Sequence, residues 1–329
     1  MDGPRNLASY LEEFSSLRPL PEKLERNVDT ERRVIEAYLS NLSADWVALV
    51  RRLCEALPAM APQTRLSVLI PARLEAFRLP RCLAALEQES RSLRRSDPNV
   101  LEVIVLDNRR KSDAPDHTAD AIALWTAHAK AESLPVSRVV HVWNDDERFC
   151  LPKARKLLAD VALMRAIERP TAIGPLYLIS EDADVEDIEP NRSAEFVRRF
   201  DALPWLDALR GRQDRTPSVL ADNHLLLLER RSWYFTETLL SAPALRPARW
   251  ENANFHWNRV VTGGWNTAFT AQGYAAIRGY STDVELFEDM DIGQRLSVLR
   301  GHWRGKRFVP EVDIIGRIHH RAHSSAARA

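Results

Sequence analysis

From Arg65 onward the chain alternates between short, continuous apolar runs and longer stretches in which apolar residues recur every third or fourth position. Leu66-Ser67-Val68-Leu69-Ile70 is the first run, stopped by Pro71, and Leu79, Leu83 and Leu86 mark the helix after it. Val103-Ile104-Val105-Leu106 is the second, ending at Asp107, with a helix expected over 116–131. Val139-Val140-His141-Val142 is the third, Lys153 to Ile167 is helical, and Leu176 to Ile179 is a fourth strand. Strands without polar alternation are buried on both faces, and helical crossovers between them imply parallel pairing. The fold class is therefore α/β, a Rossmann-like, mostly parallel sheet flanked by helices. Ligands of such sheets bind beyond the carboxyl ends of the strands, so the polar residues there hold most of the functional information.

The rhythm differs on either side of this region. Residues 1–63 read as an N-terminal helical extension packed on the main body. After a plausible cap at Asp29-Thr30, Val34, Ile35, Tyr38, Leu39 and Leu42 line one helix face, and Trp46, Val47, Val50, Leu53 and Leu57 line a second. Pro58 and Pro62 end that pattern. Past Asn191 the elements become irregular: Leu225–Leu228 is a candidate strand, Gly263-Gly264 a loop, Met290–Leu299 a helix, and the basic tail from Arg317 is expected to fray. The chain thus divides into 1–63, 64–190 and 191–329.

Composition narrows the classes of partner. Lys+Arg and Asp+Glu both number 46, so the formal net charge of zero gives no general attraction to nucleic acid or anionic membrane. Cys54, Cys82 and Cys150 form no CxxC pair or disulfide framework, which fits a reducing compartment. The N-terminus lacks the basic start and apolar core of a signal peptide, and no apolar stretch reaches bilayer-spanning length. The expectation is a soluble, cytoplasmic protein, with a homo-oligomer left open.

Three strand ends carry the candidate chemistry: Pro71-Ala72-Arg73-Leu74-Glu75, Asp107-Asn108-Arg109-Arg110, and Glu181-Asp182-Ala183-Asp184. No glycine-rich dinucleotide loop or P-loop follows any of them. A divalent cation held by carboxylates can neutralise a diphosphate instead. Asp182 and Asp184 are two apart, so in an extended segment both side chains project to one side. Glu181 is a possible neighbour, while Glu186, Asp187 and Glu189 read as solvated or helix-starting acids before Pro190.

Taken in order, these segments resemble the GT-A type of nucleotide-sugar glycosyltransferase, in particular its family-2-like group. SVLIPARLE (67–75) resembles the first strand and its Pro-Ala-x-x-Glu turn, which implies Pro71, Ala72 and Glu75 beside the donor's base and ribose. VIVLDNRRKSD (103–113) resembles the second strand, whose terminal acid contacts the base and corresponds to Asp107. The group's usual Asp-Asp-Gly-Ser turn is Asp107-Asn108-Arg109-Arg110 here, without the glycine. LPKARKLL (151–158) resembles the basic helix start that puts Lys153 or Arg155 near the nucleotide. YLISEDADV (177–185) falls where the group keeps its metal-binding Asp-x-Asp, which implies Mn²⁺ or Mg²⁺ on Asp182 and Asp184. GGWNTAFTAQGYAAIRGY (263–280) resembles the acceptor loop and helix, with Gly263, Gly264 and Trp265, and FEDMDIGQRL (287–296) the Glu-Asp segment near the reaction centre.

The resemblance implies a metal-dependent transfer of sugar from a nucleotide-diphosphate donor to a hydroxyl-bearing acceptor, a small molecule or glycan. In inverting members the base is the carboxylate of the Glu-Asp segment, hence Asp289 first and Glu288 second, although the same acids would also suit the start of any helix. Some retaining members complete the metal site with a C-terminal histidine, for which His319 and His320 are the candidates. His319 and His323 would share a helix face at i,i+4. A nucleotidyltransferase acting on a sugar phosphate is the remaining enzyme class, though the glycine-rich basic loop it uses after the first strand is not the sequence Pro71–Glu75.

Overall fold

The apolar run after Arg65 forms β1 (Leu66–Ala72), buried along almost its whole length. It pairs in parallel with β2 (Leu101–Arg110) on one side and with β4 (Tyr177–Ser180) on the other. The computed structural model describes residues 26–128, 134–144, 150–169, 171–204, 206–215, 228, 264–282, 288–300, 302–304, 307–309 and 321–324. Outside β2 lies β3 (Val136–Trp143), again parallel. Beyond β4, the strand β8 (Thr267–Thr270) runs antiparallel and is itself paired antiparallel with β6 (Ala208–Arg210). The central sheet is thus β3-β2-β1-β4-β8-β6, the mostly parallel α/β sheet expected from the strand pattern.

The helices divide between its faces. On one side lie α3 (Leu79–Arg94), α4 (Thr118–His128) and α6 (Arg192–Ala202), closing over Val68, Ile70, Val103 and Val105. On the other lies α5 (Leu151–Glu168), buried almost all round, as a helix with apolar residues on every side must be. Its outer surface is covered by α1 (Val28–Ser40) and α2 (Ala44–Glu55). The N-cap of α1 is Asn27, whose side chain accepts from Thr30 N at 2.8 Å, so Asp29 sits inside the first turn rather than at the cap.

Buried polar contacts tie this outer layer to the body. Tyr38 Oη and Trp46 Nε1 donate to the two oxygens of Asp160 at 2.7 and 2.8 Å, and Lys156 pairs with the same carboxylate at 3.1 Å. Glu31 accepts from Leu176 N at 3.0 Å and lies 3.7 Å from Arg169. Burial pushes the Glu31 carboxyl up to about 7, against the pull of that backbone hydrogen bond and of Arg169. The folded state therefore holds this proton more tightly than the unfolded state, and the stability linked to it falls as pH rises from about 4.5 to 7. The loss is on the order of 3 kcal/mol at most. Urea titrations of wild type and Glu31→Gln should show the variant gaining relative stability between pH 5 and pH 8; an identical difference at both pH values contradicts the assignment.

Several elements depart from the sequence expectation. β2 continues through Asp107 to Arg110, so Asp107 is inside the strand. The helix expected over 116–131 is α4, and 129–133 lie outside the described residues. Glu186 and Asp187 start no helix: they belong to β5 (Val185–Ile188). β5 pairs antiparallel with β11 (Arg321–Ser324), which also pairs in parallel with β7 (Arg212–Arg215). The tail therefore contributes a central strand to a second, three-stranded sheet, and His323 lies in that strand rather than on a helix face. The helix expected from Met290 starts at Glu288; α7 (Ala271–Ala276) precedes it and α8 (Glu288–Arg300) is the helix itself. Past it, β9 (His302–Arg304) and β10 (Arg307–Val309) pair antiparallel. Of the candidate strand Leu225–Leu228, only Leu228 is among the described residues, in a helical position. Among the described residues no helix is long and apolar enough to cross a membrane.

Candidate active site

The polar ends of β1, β2 and β4 face one edge of the central sheet, as parallel pairing requires. At the end of β1, Ala72 is buried and Pro71 half-buried. Leu74 adopts a left-handed φ of 58° in the turn that follows, a conformation strained for a leucine. Glu75 donates its backbone N–H to Thr118 Oγ1 at 3.0 Å and pairs with Arg78 at 3.2 Å. Asp107 is 1% exposed and lies under two guanidinium groups, Arg109 at 3.1 Å and Arg138. Lys153, in the first turn of α5, stands over the Trp143 ring at 5.7 Å from its centroid.

After β4 the chain turns instead of extending. Residues 183 and 184 form a turn, and Val185 N donates to Asp182 O at 3.4 Å. The projection of Asp182 and Asp184 expected from an extended segment is therefore replaced by the geometry of a turn. Glu181 is fully buried and points inward, accepting from Arg192 and from Asn266 N at 3.0 Å, and Arg192 lies 3.5 Å from Glu89. Burial raises the Glu181 pKa while Arg192 opposes the rise. This acid anchors the turn from below; Asp182, about a third exposed, and half-buried Asp184 are the ones on the accessible side.

Arg155 joins the two halves of the site. Its side chain is 3% exposed, and Nη2 donates to Asp182 Oδ1 at 2.7 Å. Nη1 donates to Ser180 Oγ at 3.1 Å and to Gly264 O, while Nε lies 3.6 Å from Glu288 Oε1. Ser180 Oγ donates to the same Gly264 carbonyl at 2.7 Å. Burial works to lower the Arg155 pKa, but Asp182, Tyr280, Glu288 and Asp289 outweigh it and hold the charge firmly in place. Glu288 and Asp289 open α8 beside it. Burial raises the Glu288 pKa, Arg155 draws it down, and Asp289 adds to the rise. Further along α8, Asp291 pairs with Arg295, which donates to Ile277 O at 2.7 Å and fixes the helix to the turn after α7.

Asp182, Glu288, Asp289 and Arg155 are thus gathered from three separate segments. The contributions of Ser180 and Tyr280 were not signalled in the sequence, since a serine ending a strand and a tyrosine in an aromatic-rich stretch look like ordinary core residues. Trp265 is 8% exposed and packed among apolar core residues. Gly263, His319 and His320 lie outside the described residues.

Among the described residues, no group of three or more His, Cys, Asp and Glu side chains could hold a metal by protein ligands alone. The residues do fit a cation shared with a ligand. Asp182 gives one oxygen to Arg155 and keeps the other outside the hydrogen bonds of the described residues. Mg²⁺-like ions are commonly held by one or two carboxylates plus substrate phosphates and water.

No family model and no curated protein matches the chain. Among solved structures, a mannosyltransferase from Pyrobaculum calidifontis, in complex with GDP-Man and Mn²⁺, is similar at 16% identity and a TM-score of 0.46, over 91% of this chain and 69% of its own. The glucosyl-3-phosphoglycerate synthase of Mycobacterium tuberculosis, in complex with Mn²⁺, UDP-glucose and phosphoglyceric acid, is similar at 14% identity and a TM-score of 0.33, over 65% of this chain and 60% of its own. The mannosyl-3-phosphoglycerate synthase of Rubrobacter xylanophilus is similar at 14% identity and a TM-score of 0.34, over 70% of this chain and 64% of its own. The chain therefore spans under two thirds of the length of both synthases.

Proposed function

We propose that this protein is a glycosyltransferase that moves a sugar from a nucleotide-diphosphate donor to a hydroxyl-bearing acceptor. The observation that carries the reading is the convergence on Arg155. Asp182 is 2.7 Å from it and Glu288 3.6 Å. The sequence motifs assign these two acids independently to the donor side and to the reaction centre, and they come from segments more than a hundred residues apart.

Asp182 and Asp184 would hold Mn²⁺ or Mg²⁺ together with the donor diphosphate, and the cation would supply charge to offset that developing on the departing phosphate. The remaining chemistry falls to the chain's own residues. The acceptor oxygen bonds to the anomeric carbon as the bond from that carbon to the phosphate oxygen breaks. Asp289, on the first turn of α8, takes the acceptor's proton, with Glu288 the second candidate. The turn Pro71–Glu75 and the end of β2 would flank the base and ribose. Lys153 stands at the same edge as a further cation for the diphosphate.

A thermal-shift panel tests the reading directly. GDP-mannose and UDP-glucose, with dTDP-glucose added, would be compared with and without Mn²⁺ or Mg²⁺. One nucleotide class is expected to raise Tm by several degrees only with metal present, since ligand at about 100 times Kd contributes about 2.7 kcal/mol. Stabilisation by none of the three donors, or stabilisation that survives EDTA unchanged, counts against it.

A further inference from the structure

We infer that Arg155 is a positioning residue that holds Asp182 and Glu288 in fixed relation, and that Gly264 is a glycine because any larger residue would displace it. The inference rests on the proposed transfer for the meaning of the two acids, but its geometry stands apart from that reading. A side chain brought in only to meet a phosphate would be exposed and unpaired before the ligand arrives. Arg155 is neither: it is 3% exposed and engaged by Asp182, Ser180 and Gly264 O, with Glu288 beside Nε. A planar guanidinium can donate from its two terminal nitrogens to acceptors on separate segments while its Nε edge faces the Glu288 carboxylate at ion-pair distance, whereas a lysine ammonium acts as a point charge on a flexible stem.

The Gly264 backbone supplies the second, independent observation. A Cβ at Gly264 would lie 2.6 and 2.7 Å from the two terminal nitrogens of Arg155 and 3.0 Å from Cζ. Long flexible side chains ordinarily swing clear of such a contact. This one is held by hydrogen bonds on both nitrogens, one of them to the Gly264 carbonyl itself, so a methyl group at this position and the bonded guanidinium compete for the same space. Gly264 thereby acts on the site through Arg155, a role different from direct contact with an acceptor.

Two substitutions reach the bracket from opposite sides. Arg155→Lys keeps the charge and loses the fork, while Gly264→Ala keeps Arg155 and pushes it out of place. Both are expected to lower kcat by about 10²-fold, the scale of a 1 Å misplacement, with the donor Kd from calorimetry changed less than about threefold (against roughly tenfold per 1.4 kcal/mol). A donor Kd weakened by a hundredfold in Arg155→Lys with kcat intact would mean that Arg155 binds the nucleotide directly, and overturns the proposal. Crystal structures of the two variants without ligand form an arm independent of activity. The carboxylates of Asp182 and Glu288 are expected to move apart by about 1 Å relative to wild type, and unmoved carboxylates in both variants overturn the bracket even if the wild type proves to bind no nucleotide-sugar. Absence of donor binding in the wild type, by contrast, sinks the glycosyltransferase reading while the crystallographic arm still decides the role of Arg155.

Discussion

In an Asp182→Asn variant, metal-dependent binding of the nucleotide-sugar donor is expected to disappear and kcat/KM to fall by about 10³-fold or more. The magnitude follows from the charge that a bound cation offers a departing diphosphate, worth several kcal/mol, at tenfold in rate per 1.36 kcal/mol. Asparagine is the informative replacement because its amide oxygen still accepts from Arg155. Alanine would remove that acceptor as well and leave a terminal nitrogen of a guanidinium that is 3% exposed without its 2.7 Å hydrogen-bond partner, which destabilises the fold for a separate reason. The expected pattern is therefore a Tm close to wild type without ligand, and no further rise when donor and Mn²⁺ are added. Glu186→Gln serves as the control. Glu186 belongs to the same acidic run but lies in β5 and pairs with the exposed Arg81 at 3.3 Å, so its loss should leave donor binding untouched. Equal effects at both positions would mean that the run acts through general negative charge. A donor complex that persists in Asp182→Asn and resists EDTA would remove the cation from the reading altogether.

That contrast between Asp182 and Glu186 marks where the sequence was readable and where it was not. The four parallel strands β1 to β4 were legible because strands buried on both faces consist of little but apolar residues, and α5 because its apolar residues recur on every side, whereas the short antiparallel β6 and β8 of the same sheet were not read as strands. The three-stranded sheet was not legible either: β5, β7 and β11 are four residues long and rich in charge, and their pairing joins segments over a hundred residues apart. The acids at 186 and 187 consequently looked like loop or helix-start residues. Asp107 shows the same limit at a single side chain. It follows an apolar run and so resembles a strand end, yet Arg138 on the neighbouring strand and Arg109 two residues on compensate its charge, and β2 continues past it. Arg155 is the clearest case. A basic residue at a helix start is the expected phosphate ligand, and only the approach of Gly264 and Glu288 in three dimensions turns it into a buried bridge.

The identity of the base gives the second large effect. Asp289→Asn is expected to lower kcat by about 10²–10⁴-fold, the usual contribution of a positioned general base, while the donor Kd stays near its wild-type value. Glu288→Gln should cost less if Glu288 serves to face Arg155, and its effect should then overlap with that of Arg155→Lys instead of adding to it, as expected for residues that act as one unit. The structure supplies a way to tell the two acids apart. Burial raises the Glu288 pKa, with Arg155 only partly opposing it. If Glu288 were the base, the acidic limb of kcat against pH would sit above the ordinary carboxylate range, because the group must be ionised to accept a proton, and Glu288→Gln would erase that limb. With Asp289 as base, the limb disappears in Asp289→Asn and survives in Glu288→Gln. Loss of the limb in Glu288→Gln alone, with Asp289→Asn close to wild type, would reverse the assignment. Full activity in both variants would leave the transfer without a carboxylate base on α8, as in a retaining enzyme, where positioning against the anomeric carbon carries more of the rate.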